Sequence, residues 1–250
     1  MKTLGTGRMQ TAFRVSRKTL IVDLGGLRTV LSSAPRAGGV TRVRYILNHQ
    51  VAANSIAKGD REKNARCADP ARTLSQLALS LGIRDPFVGL MTAVSLADLV
   101  TVREAHDELW VEGFVTVGTS NAVRAGEPVV LGQRMDSQTQ AGTINLILVT
   151  NARLSISAMV GMVQVATEAK TAVLLRAKVK SWTGRSGATG TGTDAVVVVS
   201  GNGSRQRYSG THTVLGELVG RAIETAVTDG LARYLHWHAR HEPRRSGKKP

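Results

Sequence analysis

Residues 155–178 carry apolar side chains on nearly every side of a helix. Met159, Val160, Met162, Val163, Val165, Ala166, Ala169, Ala172, Val173 and Leu174 surround the polar run Thr167-Glu168-Ala169-Lys170-Thr171. A helix apolar all round must be buried, so it is expected inside a larger body, with Ser155 as its cap. Gln164, Glu168 and Lys170 interrupt the apolar window 156–175. A bilayer span needs about 20 predominantly apolar residues in a row. The segment therefore reads as a core helix, and no membrane partner is expected.

A second long helix is expected over 213–237. Leu215, Leu218, Val219, Ala222, Ile223, Ala226 and Val227 recur there at helical spacing on one face. Pro70 after the cap Asp69 opens a shorter helix that runs to Leu81 and is closed by Gly82. Strand patterns fall at 18–24 and 27–32, two short strands around a Gly25-Gly26 hairpin turn. Others fall at 40–47, 87–93, 99–105, 109–117, 143–150 and 195–200. Residues 57–69 and 118–137 read as loops, 182–192 as a Gly- and Ser-rich stretch, and 207–210 as a short uncertain segment. Strands lead and long helices follow, which argues for an α+β fold. The expected domain is a single one over 18–237. Its mixed, largely antiparallel sheet has about seven strands, packed by two long C-terminal helices and one shorter helix. Residues 1–17 read as a loose basic lead and 238–250 as a disordered basic tail.

The chain has 250 residues and a formal charge of +15. That charge crowds both ends, at Lys2, Arg8, Arg14, Arg17 and Lys18 and again at Arg233, Arg240, Arg244, Arg245, Lys248 and Lys249. Solvated tails explain it better than a nucleic-acid patch, because aromatics make up only 4% and no binding motif is present. Cys67 stands alone, which excludes an intrachain disulfide and a cysteine-based zinc site. The N-terminus lacks an apolar stretch of signal length, so a cytoplasmic location is expected.

The chemistry concentrates in 188–194, Ala-Thr-Gly-Thr-Gly-Thr-Asp, which runs into Ala195-Val196-Val197-Val198-Val199. This is a backbone-exposing loop feeding a buried strand. The Gly190-Thr191-Gly192-Thr193-Asp194-Ala195 spacing imitates a dinucleotide fingerprint. That fingerprint must open a helix, however, and this one opens a strand. Glu168 in its apolar setting is expected to be buried, a state that raises a carboxyl toward general-base range. His212, flanked by Thr211 and Thr213 at a helix start, could serve as base, acid or metal ligand, with Glu217 one turn on. Asn145 opens a buried strand, and Ser33, Asn48 and Asn121 are polar residues at strand ends. There is no Gly-x-Ser-x-Gly elbow and no His-Glu-x-x-His.

Taken in order, these motifs form a set. Ser32-Ser33-Ala34-Pro35 with Gly38-Gly39, Asn48 with Val51, Gly89-Leu90-Met91-Thr92 and Gly142-Thr143-Ile144-Asn145 come first. Then follow Thr167 to Thr171, Ala188 to Asp194, and Gly210-Thr211-His212-Thr213 with Gly216-Glu217 and Gly220-Arg221. The set resembles the adenosylcobinamide amidohydrolase family of cobamide salvage, over roughly residues 28–232. Val165 stands where that pattern favours threonine, and the tail after Arg240 lies outside it. The resemblance implies hydrolysis of the amide that joins a corrinoid side chain to aminopropanol, giving adenosylcobyric acid. It brings no assignment of catalytic residues.

Amide hydrolysis needs an activated nucleophile, a stabilised oxyanion and a proton for the leaving amine. From chemistry alone, Glu168 would activate water. Lys170 or the amides of Gly190, Thr191, Gly192 and Thr193 would hold the oxyanion. His212 would protonate the amine, and Asp194 would orient His212 or a substrate amide. Asn145, Ser33, Asn48, Asn121 and Glu217 would contact substrate. Thr191 or Thr193 as nucleophile remains open, as does a divalent metal held by Glu168, Asp194 and His212. No cofactor is expected, since the corrinoid is substrate, and a homo-oligomer is open. The rivals are a non-catalytic corrinoid- or nucleotide-binding protein and a nucleic-acid binder. The catalytic assignment requires Glu168, His212 and the 190–193 backbone to share one cleft.

Overall fold

The computed structural model describes residues 8–51, 69–128 and 142–241. Twelve strands and three helices follow one another there. They are β1 (Ala12–Ser16), β2 (Thr19–Ser32), β3 (Gly39–Gln50), α1 (Pro70–Ser80), β4 (Phe87–Thr92), β5 (Val100–His106), β6 (Leu109–Val117) and β7 (Ala122–Val123). Next come β8 (Ile144–Thr150), β9 (Arg153–Leu154), α2 (Ile156–Arg176), β10 (Gly190–Thr191), β11 (Ala195–Val199), β12 (Arg205–Gln206) and α3 (Val214–His241). The main sheet runs β4-β3-β2-β11-β8-β6-β5, with β1 also paired to β2. Only β3–β4 and β8–β11 are parallel within it. The α+β class, the large and mostly antiparallel sheet and its three helices are as expected.

The β8–α2–β11 unit positions everything that follows. Seven consecutive buried residues, Ile-Asn-Leu-Ile-Leu-Val-Thr, make β8 a central strand. A parallel neighbour needs a crossover, and α2 supplies it. Ser155 caps α2, its hydroxyl accepting from the Ala158 amide at 3.1 Å. One end of the unit thus gathers the start of β8, the start of β11 and the C-terminal half of α2. The other gathers the strand ends and the start of α2.

The structure redraws several boundaries. Residues 19–32 are one strand, not two around a turn. Gly25, at φ 69°, makes a bulge there, where the register moves from Asp23↔Tyr45 to Arg28↔Val43. Both halves of β2 find partners along the uninterrupted β3, so no reversal is needed. The lead over 1–17 contains β1, because Arg17 and Lys18 both take positive φ (48° and 57°) and close a two-residue hairpin. The stretch 118–137 contains β7, and the short element near 207–210 lies at Arg205–Gln206 instead. The last helix runs on to His241, past the expected limit of 237. Most of the expected 57–69 loop, residues 129–137 and the tail beyond 241 lie outside the described residues.

Helices α2 and α3 bury Met159, Met162, Ala166, Leu215, Leu218, Ile223 and Val227 against Val100, Val115, Leu146, Leu148 and Val198 of the sheet. Strand residues such as Leu20, Val30, Ile46, Leu90, Phe114, Ile147 and Val197 form a second cluster. Leu74 and Ala78 of α1 close a third on Ile21, Leu47 and Phe87. By length and composition α2 could cross a membrane, with a mean hydropathy of 1.3. It is not buried on all sides, however: Ile156, Val160, Gln164, Glu168 and Leu175 are exposed. An apolar residue on a surface is ordinary, so composition alone overstated the burial of this helix.

His49, at the end of β3, lies 2.9 Å from the Thr19 hydroxyl through Nδ1, and burial holds its pKa below the ordinary 6.5. Above that value the ring is neutral folded or unfolded. As pH falls through it the unfolded chain takes a proton first, so stability declines from there toward the lower folded value. Urea unfolding between pH 7 and 5 is expected to show this loss in the native chain. His49→Gln should flatten it.

Candidate active site

Asp194 stands one residue before β11, and both its oxygens are occupied. Oδ1 accepts from the Ile144 amide at 3.0 Å and from Thr191 Oγ1 at 2.5 Å. Oδ2 accepts from the Thr191 amide at 3.1 Å and from Lys170 Nζ at 2.5 Å. The two side chains of the Lys170–Asp194 pair are 8% and 14% exposed. Lys170 thus answers the buried-charge problem that the α2 sequence poses, with a partner 24 residues away instead of Glu168. Gly190 is needed here because a Cβ would sit 2.5 Å from Asp194 Oδ2 and 2.8 Å from Lys170 Nζ.

A scaffold of threonines braces the loop. Thr143 Oγ1 donates to the Thr193 carbonyl at 2.8 Å, and Thr193 Oγ1 to the Gly142 carbonyl at 3.2 Å. Thr171 Oγ1 donates to the Thr189 carbonyl at 3.1 Å, tying the loop to α2. β10 pairs with β7 through Thr191↔Ala122, which sets Asn121 beside the loop. Asn121 is buried, and its Oδ1 has no partner among the described residues. Glu127 accepts from the Arg124 amide and from the Ser181 and Thr183 hydroxyls, fastening the Gly-rich stretch alongside. Gly192 and Thr193 are left exposed at the tip.

Asn145 and Ser33 also reach this end, with different standing. Asn145 donates through Nδ2 to Asn48 Oδ1 at 3.0 Å and to the Met91 carbonyl at 2.8 Å. Asn48 in turn donates to Thr116 Oγ1 at 3.4 Å. Both asparagines are 1% exposed, so they stitch strands together beneath the site and do not offer themselves to a substrate. Ser33 is exposed; its Oγ accepts from the Val196 amide at 3.0 Å, two residues from Asp194.

Glu168 and His212 do not join them. Glu168 is exposed, and two helical steps turn it about 200° from Lys170, away from Asp194. The expected buried carboxylate is therefore not at that position. His212 is also exposed, in the turn before α3, where Thr213 rather than Thr211 accepts the Gly216 amide at 3.0 Å. That turn is anchored by Ser209 Oγ, which donates to the Ala158 carbonyl at 2.6 Å. Ala158 and Lys170 lie about 18 Å apart along the α2 axis. β11 likewise separates Asp194 from Ser200 by about 20 Å. Glu217 accompanies His212 at the far end, paired with Arg221 at 3.5 Å. The common cleft, and with it the set Glu168, Asp194 and His212 weighed for a metal, is not assembled. Contacts along the chain could not reveal this, because helix start and loop are brought near or apart only by the crossover.

A sequence model of adenosylcobinamide amidohydrolase matches residues 2–239. An uncharacterised protein of Methanocaldococcus jannaschii is 31% identical over 231 residues, covering 86% of each chain. A Methanosarcina mazei protein named adenosylcobinamide amidohydrolase is 29% identical over 231 residues, covering 88% of this chain and 96% of its own. Among solved structures, the L-aminopeptidase D-Ala-esterase/amidase of Ochrobactrum anthropi aligns with a TM-score of 0.43 at 12% identity, over 89% of this chain and 82% of that one. The PH0078 protein of Pyrococcus horikoshii aligns with a TM-score of 0.40 at 13% identity, over 92% and 81%.

Proposed function

Because this chain belongs to the adenosylcobinamide amidohydrolase family, we propose that it cleaves the amide between the corrinoid side chain and aminopropanol of adenosylcobinamide. The products are adenosylcobyric acid and aminopropanol, and the role is salvage of incomplete corrinoids. The observation that carries the site assignment is the buried Lys170–Asp194 pair beneath an exposed glycine-threonine tip. A fixed loop of amides is what a developing oxyanion requires. Lys170 is already engaged by Asp194, so the oxyanion falls to the Gly192 amide, beside the Thr193 amide, which donates to Thr191 Oγ1 at 3.4 Å. Asn121 offers a carboxamide for the substrate's own amide groups, and Ser33 borders the same end.

Water activation and proton delivery by Glu168 and His212 are set aside in this assignment. Both are exposed, and His212 lies at the wrong end of the crossover. Glu168→Gln and His212→Ala are expected to keep turnover within a few-fold of the native chain, whereas losing a true general base costs about 10²–10⁴-fold. Initial rates of aminopropanol release measure this. A hundredfold loss in either variant, with unchanged folding, would return that residue to the chemistry.

The direct test of function is incubation of the full chain with adenosylcobinamide and mass detection of the freed carboxylic acid. Release of acid and aminopropanol in equal amounts is the expected result. Retention of corrinoid without release would mark a binding protein instead.

A further inference from the structure

We infer that Thr191 is the nucleophile, acting through a covalent ester, with Asp194 as the group that takes and returns its proton. The inference rests on the amidohydrolase assignment above. Thr191 is the one threonine of the loop whose hydroxyl meets a carboxylate. Its Oγ1 lies 2.5 Å from Asp194 Oδ1, while the hydroxyls of Thr171, Thr143 and Thr193 each donate to a backbone carbonyl. Its own amide is tied to the other oxygen of the same carboxylate at 3.1 Å. Main chain and side chain are therefore both fixed to Asp194, and Asp194 is fixed to α2 by Lys170. That is the arrangement of nucleophile, base and orienting group that covalent catalysis calls for. Thr191 is 9% exposed and adjoins the exposed Gly192 and Thr193, so the residue borders the open tip.

The step balances without a further reactant. Thr191 Oγ forms a bond to the amide carbonyl carbon as its proton passes to Asp194 Oδ1. The tetrahedral intermediate collapses by breaking the carbon–nitrogen bond, and the proton goes to the departing nitrogen, releasing aminopropanol. Water then attacks the ester carbonyl and yields a proton through Asp194 to Thr191 Oγ, leaving the corrinoid acid. Lys170 is a positioning residue in this scheme, since it touches Asp194 and not the reacting atoms.

The experiment is turnover of adenosylcobinamide by the full chain with and without hydroxylamine, which intercepts an ester as a hydroxamate. The native chain is expected to yield corrinoid hydroxamate alongside the acid. Thr191→Val should lose at least about 100-fold in aminopropanol release and all hydroxamate, and Thr191→Ser should stay within about tenfold. Thermal unfolding of each variant separates lost chemistry from lost fold, and the serine variant keeps the hydroxyl should valine fail to fold. Turnover by Thr191→Val within a few-fold of native, or a serine variant that folds but is dead, overturns the inference while leaving the amidohydrolase assignment intact. A native chain that releases no aminopropanol overturns the assignment, and the inference with it.

Discussion

Replacing Lys170 by methionine is expected to lower the unfolding free energy by about 3 kcal/mol, near the lower end for breaking a buried ion pair. Methionine matches the lysine stem in bulk, so packing against α2 survives and the change isolates the charge. The cost is not larger because Asp194 keeps three donors, the Ile144 and Thr191 amides and the Thr191 hydroxyl. The consequence for activity is more severe. Without Lys170 nothing ties the start of β11 to α2 through this carboxylate, and aminopropanol release should fall by roughly 10²-fold or more, as misplaced reacting groups commonly do. Urea unfolding gives the first quantity and initial rates the second. Adding Asp194→Asn to Lys170→Met should cost less stability than the sum of the two single changes, because the pair is then absent rather than broken.

Glu112→Ala is expected to destabilise the chain by about 3–5 kcal/mol, from the opposite end of the sheet. Glu112 on β6 is fully buried. Its carboxylate accepts from Arg103 Nη1 at 2.7 Å, from the Gln10 amide at 2.5 Å and from the Thr11 amide at 3.0 Å. Truncation leaves a largely buried guanidinium, which also rests 4.7 Å over the Trp110 ring, and two amides without their acceptor. The entry into β1 should loosen with it. Hydrogen exchange would show lost protection at Gln10 and Thr11 before any change at β8 or β11. Glu112→Gln should recover part of the loss, since its amide oxygen still accepts.

These two carboxylates show what the amino-acid order disclosed and what it withheld. The expectation of a buried acid attached to Glu168, amid apolar neighbours on a helix, and Glu168 is exposed. Among the described residues the buried acids are Glu104, which alternation on β5 turns inward, and Glu112, on a stretch of β6 that is buried throughout. Burial pushes the Glu104 carboxyl up, opposed by Arg221 at 3.0 Å. Long periodic segments were legible: α1 with its Asp69 cap, α2, most of α3 and the strands at β6 and β8. The β1 hairpin was not, because Arg17 and Lys18 take the positive φ that glycine or asparagine ordinarily signals. Gly25-Gly26 misled for the converse reason, since the same freedom serves a bulge as well as a reversal. At the site, the composition of 188–194 drew attention to the loop that meets the Lys170–Asp194 pair. Thr143 was passed over as a functional residue, though its place between Gly142 and Asn145 was its only signal. His212 was grouped with Asp194 because nothing linear states which end of a crossover a residue will occupy.

Tyr234 carries a last implication. It sits late in α3, and its phenol, pushed up by burial, bonds to Ser120 and Thr119, one and two residues before Asn121, whose Oδ1 has no partner among the described residues. The late turns of α3 thereby brace the segment that borders the candidate site. Shortening the chain from its rear would disturb the chemistry before it disturbed the core, and insertions or fusions at that terminus inherit the same constraint.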